Sequence, residues 1–225
     1  MSGTTKVVVA GTAGDIDVSV DRPDAAEWPT PRGLALVCHP HPLQGGANEN
    51  KVVQTVARAC VALGFVAVRP NFRGVGASAG AFDEGRGEVD DMLAVLAAMR
   101  AEVPEGELVL AGFSFGSFVQ SHIAQRLGAD GTPIARLILI GTAASRWNVA
   151  PARADTLVIH GEVDDVVPLA AVLDWARPQE LPVIVMPGAD HFFHRKLVVL
   201  KRLVLDALAA RIESKSVGAD ADSRM

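Results

Sequence analysis

Two kinds of apolar pattern alternate along this chain. Short, almost uninterrupted apolar runs fall at 34–38, 65–69, 108–111, 136–140, 156–159 and 183–186. Runs of this length and continuity suit strands covered on both faces. Longer segments of helical character lie between or after them, at 50–63, 90–101, 114–126, 169–176 and 195–212. Their ends carry stop signals: Gly64 after the first, Pro104 after the second, Gly128 after the third. Only the start of the chain differs. Segments 6–10 and 15–21 read as a hairpin joined through Gly11-Thr12-Ala13-Gly14, and a loop with Pro23, Pro29 and Pro31 follows.

Strands alternating with helices at this spacing predict βαβ units and a mostly parallel sheet of about eight strands, opened by an antiparallel hairpin. Right-handed crossovers then place helices on both faces. No internal repeat is present. The segment 214–225 is small and polar without an apolar period, so it is expected to be disordered, leaving 1–213 as a single domain.

In a parallel sheet of this kind, ligands bind beyond the carboxyl ends of the strands. Chemistry is therefore expected just after each apolar run. After 108–111 comes Gly112-Phe113-Ser114-Phe115-Gly116, a G-x-S-x-G pentapeptide at a strand-to-helix turn. Such a turn lifts a serine hydroxyl out of the sheet to the start of a helix, with glycines where side chains would collide. Alone, the pentapeptide fits an incidental Gly-rich turn as well as a nucleophile. After 156–159 comes His160-Gly161-Glu162-Val163-Asp164-Asp165, and after 183–186 comes Pro187-Gly188-Ala189-Asp190-His191. Serine, acid and histidine thus occur in that order, all at one sheet edge. A serine hydroxyl needs an adjacent base, and that base needs a carboxylate to orient it.

Composition narrows the alternatives. At 49% hydrophobic and 21% charged residues, the 225-residue chain has the makings of one full α/β core. A net charge of −5 offers no basic stripe for nucleic acid or anionic membranes. The first residues lack a signal-peptide pattern, and no run reaches the ~20 apolar residues that span a bilayer. A cytoplasmic location is expected, with a small molecule as partner and a monomer or small homo-oligomer as the state. Cys38 and Cys60 make no disulfide framework and read as buried thiols.

Taken together, the motifs resemble those of the α/β-hydrolase superfamily over residues 5–213. The resemblance rests on G-F-S-F-G at 112–116, H-G-x-x-D-x-x-V-P at 160–168, G-x-D-H at 188–191 and N-F-R-G-V-G-A-S at 71–78. The stretch C-H-P-H-P-L-Q-G-G at 38–46, with G-A-D-H-F-F-H at 188–194, is similar to a narrower group: small, capless bacterial serine hydrolases related to dienelactone-hydrolase-like esterases.

The resemblance implies an α/β-hydrolase fold without a cap domain, since the segment 141–155 is too short for one. It implies Ser114 as nucleophile, His191 as base and Asp164 as the acid, with the neighbouring Asp165 the rival. Two backbone N–H groups should form an oxyanion hole. Phe115 is one candidate, and the loop 39–46 supplies the other: Pro40 and Pro42 have no N–H, which leaves Leu43 first and His41 second. Arg73, Trp147, Phe192 and His41 are candidates for substrate contact. Arg73 could equally pair with Asp83 or Glu84, and Phe193 reads better as core.

The implied activity is hydrolysis of small or short-acyl carboxylic esters without a cofactor. A thioesterase, peptidase or acyltransferase would use the same triad. A non-catalytic binding scaffold would lack a triad member. A metal-dependent hydrolase would recruit His39, His41, His191 and His194, whose spacing matches no common zinc pattern.

Overall fold

The computed structural model describes the backbone of residues 3–222 and the side chains as far as residue 212. Strands β1 (Thr4–Gly11) and β2 (Gly14–Asp21) form the expected hairpin. Then β3 (Gly33–Cys38), α1 (Lys51–Ala62), β4 (Phe65–Pro70), α2 (Arg86–Glu102), β5 (Glu107–Phe113) and α3 (Phe115–Ala129) alternate. The chain closes with β6 (Arg136–Ile140), β7 (Leu157–Gly161), α4 (Leu169–Ala176), β8 (Val183–Met186) and α5 (Leu197–Asp222). The eight strands form one sheet in the order β1-β2-β4-β3-β5-β6-β7-β8. Both pairings of β2 are antiparallel and every other pairing is parallel.

Side chains alternate between the two faces along each central strand. Leu34, Leu36, Leu108 and Leu110 point to one face, where Met92 and Val95 of α2 and Ile123 of α3 cover them. Ala35, Val37, Val109 and Ala111 point to the other, under Val53 and Val56 of α1 and Leu200 and Val204 of α5. Covering on both faces is why these strands read as continuous apolar runs. The connection from β6 to β7 contains no helix or strand, so no cap overhangs the carboxyl edge.

Element ends differ from the sequence reading where side chains set them. Helix α2 begins at Arg86 rather than at 90. The buried Glu88 carboxylate accepts from the Asp83 and Gly85 amides at 2.9 and 2.8 Å, and Asp83 accepts from the Gly87 amide at 3.0 Å. This cap precedes the apolar period and leaves no trace in it. Helix α3 runs through Gly128 to Ala129.

Helix α5 starts two residues later than expected because Phe193 and Arg195 have φ of 54° and 60°, which holds a turn ahead of it. It then continues as helical backbone to Asp222, into the segment 214–225 that the sequence reading sets apart as a tail. Once nucleated, a helix propagates cheaply through proline-free sequence. The last three residues of that expected tail lie outside the described ones.

Candidate active site

Ser114 stands between β5 and α3 with φ 55° and ψ −119°, a backbone conformation that costs a non-glycine residue roughly 1–3 kcal/mol. Its amide donates to Ile140 O at 2.9 Å, which ties the turn to β6. The flanking glycines are required by close backbone approach. A Cβ at Gly112 would lie 2.1 Å from Gly116 O, and one at Gly116 would lie 2.4 Å from Cys38 O. The start of α3 is thereby pressed against the end of β3 and the loop that follows it.

Three loops at the carboxyl edge bring Ser114, His191 and Asp164 together. His191 Nε2 lies 3.0 Å from Ser114 Oγ, and His191 Nδ1 lies 2.7 Å from Asp164 Oδ2. An ionised carboxylate only accepts, so Nδ1–H donates to Asp164 and the Nε2 lone pair faces the serine hydroxyl. Asp164 Oδ1 accepts from the Val166 and Val167 amides at 3.0 and 2.7 Å. Burial alone would raise this carboxyl, but the hydrogen bonds from His191 and the Val167 amide outweigh it and hold it below the usual carboxylate range. Asp165 is exposed and takes no part in this chain of contacts.

His160 touches the same carboxylate. Its Nε2 donates to Val167 O at 2.9 Å and lies 3.4 Å from Asp164 Oδ2. Burial pushes this imidazole down, so it is neutral and buttresses the loop that aims Asp164. The contact spans four residues, from the end of β7 to the loop that follows it.

The loop after β3 departs from expectation at Leu43. Its amide donates to His41 Nδ1 at 3.2 Å and its side chain points to solvent at 72% exposure. Proline at 42 starts a short 3₁₀ turn, and the turn directs the Leu43 amide back onto His41. The remaining candidate in this loop is the His41 amide, which has no hydrogen-bond partner among the described residues. The loop is pinned from below by His39, whose Nδ1–H donates to Pro40 O at 2.7 Å and whose Nε2 accepts from the Phe72 amide at 2.9 Å. Burial pushes His39 down to about 4.

Arg73 does not face the site. Its Nε donates to Asp91 at 2.8 Å, and its Nη2 donates to Thr12 Oγ1 at 2.8 Å and Gly87 O at 2.9 Å. The pairing is structural, but with Asp91 rather than Glu84, and Asp83 is only a distant partner at 4.0 Å.

Trp147 packs on Phe115 with ring centroids 4.9 Å apart, and His41 and Phe82 complete that wall. Phe82 was not foreseen, because nothing in its loop marks it as adjacent to the serine. Phe192 is 43% exposed and leans on Phe113 and His191, whereas Phe193 is fully buried. His194 pairs with Asp190 at 2.6 Å, and His122 meets Asn148 O at 3.0 Å. Cys38 and Cys60 are buried and free, and burial pushes the Cys60 thiol to about 12 and Cys38 higher still. Among the described residues, no group of three His, Cys, Asp or Glu side chains is placed to hold a metal ion.

A sheet in this order, with a strained serine leading from its fifth strand into a helix, is the architecture of an α/β hydrolase of the serine type. Comparison with known proteins agrees. A Thioesterase domain family profile matches residues 83–167. A lidless α/β serine hydrolase from Xanthomonas campestris is 39% identical, covering 93% of this chain and 95% of that one with a TM-score of 0.85. An α/β serine hydrolase homologue from Coxiella burnetii is 34% identical, covering 92% and 98% with a TM-score of 0.80. An uncharacterized protein of Rickettsia prowazekii is 31% identical over 186 residues, 78% of each chain. The chain belongs to the α/β-hydrolase superfamily, among its serine hydrolases without a lid.

Proposed function

We propose that the protein hydrolyses carboxylic esters of small or short-acyl substrates through an acyl-enzyme on Ser114. The observation that carries this reading is the unbroken contact from Ser114 Oγ through His191 to Asp164. His191 Nε2 takes the hydroxyl proton as Ser114 Oγ bonds to the carbonyl carbon. The oxyanion that forms is met by the Phe115 amide and, in place of Leu43, the His41 amide. Such donors contribute roughly 10²–10³ each in rate. The imidazolium, stabilised by Asp164, then gives its proton to the leaving oxygen as the C–O bond breaks. Water attacks the acyl-serine, His191 accepts the water's proton, and the acid departs as that proton returns to Ser114 Oγ.

The open edge and the wall of His41, Phe82, Phe115 and Trp147 beside the serine favour short acyl groups. A thioester is the second reading, favoured by the Thioesterase domain match over 83–167; the steps are the same with sulfur leaving. A panel of 4-nitrophenyl esters and matched thioesters, assayed with wild type, Ser114→Ala and His191→Ala, tests both. Each variant is expected to lose at least about 10³-fold in kcat while remaining folded. Near wild-type turnover by either variant contradicts the assignment.

A further inference from the structure

Beside Phe192 lies a cavity of about 270 Å³ that the triad does not account for. It opens between the start of α1 and the turn before α5, and Asn50, Lys51, Phe192, His194, Arg195 and Leu197 line it. Its apolar lining is Val52, Leu197 and Phe192, and the Phe192 ring sits edge-on to Phe113 at 5.9 Å and to the His191 imidazole at 5.2 Å. The turn is built to keep that ring out. Phe193 and Arg195 both adopt positive φ, and Phe193 plugs the core while its neighbour Phe192 stays uncovered. Strained backbone of this kind persists where surrounding packing enforces it, often at ligand-contacting positions.

The rim is cationic in a chain of net charge −5. His194 is held by Asp190, through its ring at 2.6 Å and its amide at 3.0 Å. Lys51 and Arg195 have no ion pair among the described residues. The Val52 amide at the start of α1 is already taken by the Asn50 side chain at 2.9 Å, so the two cations carry the attraction for an anion.

We propose that this cavity is the leaving-group subsite and that it selects esters whose leaving group carries an anionic substituent on an apolar body. The inference rests on the esterase reading above. His191 gives its proton to the leaving atom, so the leaving group lies on the side of the imidazole, against Phe192. The acyl group lies on the opposite side, by the Phe115 amide and the aromatic wall.

The test compares kcat/KM for three acetate esters: phenyl acetate, 3-acetoxybenzoate and 3-(trimethylammonio)phenyl acetate. A meta carboxylate changes the acidity of the phenol little, whereas the ammonium group makes it the better leaving group. Wild type should nevertheless prefer the benzoate to the ammonium ester, and added salt should shrink that preference. In the Lys51→Gln/Arg195→Gln variant the ratio of benzoate to phenyl acetate should fall about tenfold, chiefly through KM. Lys51→Glu/Arg195→Glu should reverse the order of the two charged esters.

A wild type that prefers the ammonium ester, or a ratio unmoved by either double variant, overturns the subsite while leaving the esterase reading intact. A wild type that hydrolyses none of the three contradicts the esterase reading and takes the subsite with it.

Discussion

At the scale of single residues, the roles of neighbouring groups differ by which polar atoms are already engaged. Asp164 accepts from His191 and two amides, whereas Asp165 faces solvent. Asp164→Asn is therefore expected to lower kcat by about 10⁴-fold, because an amide no longer holds the required imidazole tautomer. Asp165→Asn should change kcat by less than about tenfold; the reverse order in a steady-state assay would move the acid to Asp165.

His39 gives a stability prediction. Its folded value of about 4 lies below its ordinary value of 6.5, so between those values the unfolded chain binds the extra proton. Its contribution is complete above pH 6.5 and is lost as pH falls toward 4, by up to about 3 kcal/mol. Urea unfolding across that range should show the decline, and His39→Gln should flatten it; an equal slope in both proteins would remove His39 as the cause.

Ser114, Asp164 and His191 stand in contact, and the sequence marks each of them by a motif at a strand end. Leu43 was misread because amide direction in a proline-bounded loop depends on a turn that the sequence does not display. Arg73 was open because its partners, Thr12 and Asp91, are brought to it only by the fold.

At the scale of elements, glycines and buried ion pairs hold the edge together. Gly116→Ala would drive its Cβ into Cys38 O and His39 O, at 2.4 and 2.7 Å, so the loop after β3 must retreat from α3. A displacement of that size is expected to cost about 10²-fold in kcat. Unchanged kinetics would show that the loop position does not matter.

Arg73 joins the hairpin turn, the β4 loop and α2, with Asp91 buried beneath it. Arg73→Met should destabilise the fold by about 3–5 kcal/mol by stranding that carboxylate. Arg73→Met/Asp91→Leu should recover part of the loss. Unaltered unfolding with a raised KM for carboxylate-bearing substrates would return Arg73 to the binding site. Among the described residues, strands β3 to β8 and helices α1 to α5 are visible as apolar runs or periods, and β1 and β2 as a hairpin. Their ends were less so, since Glu88 and Asp83 cap α2 through carboxylates that precede its apolar stripe.

At the scale of the whole molecule, the sheet is a platform with three loops meeting over it and no cap between β6 and β7. No described helix is long and apolar enough to cross a membrane. An open site has no lid to displace, so turnover should rise smoothly with substrate concentration through the micellar threshold of a longer-chain ester, without a jump at the interface.

The mostly parallel sheet is legible in the alternating βαβ units, but the strand order is not, because it rests on long-range pairings such as β2 with β4 and β3 with β5. The aromatic wall was only partly legible, since Phe82, Phe115 and Trp147 meet across three separate connections. Together these parts are expected to assemble an activated serine. Intact-mass labelling with a fluorophosphonate tests it most directly, because the reagent needs only that serine and its oxyanion donors. One adduct on wild type and none on Ser114→Ala is the predicted result; folded wild type that stays unmodified, or a Ser114→Ala variant that labels equally, would contradict it.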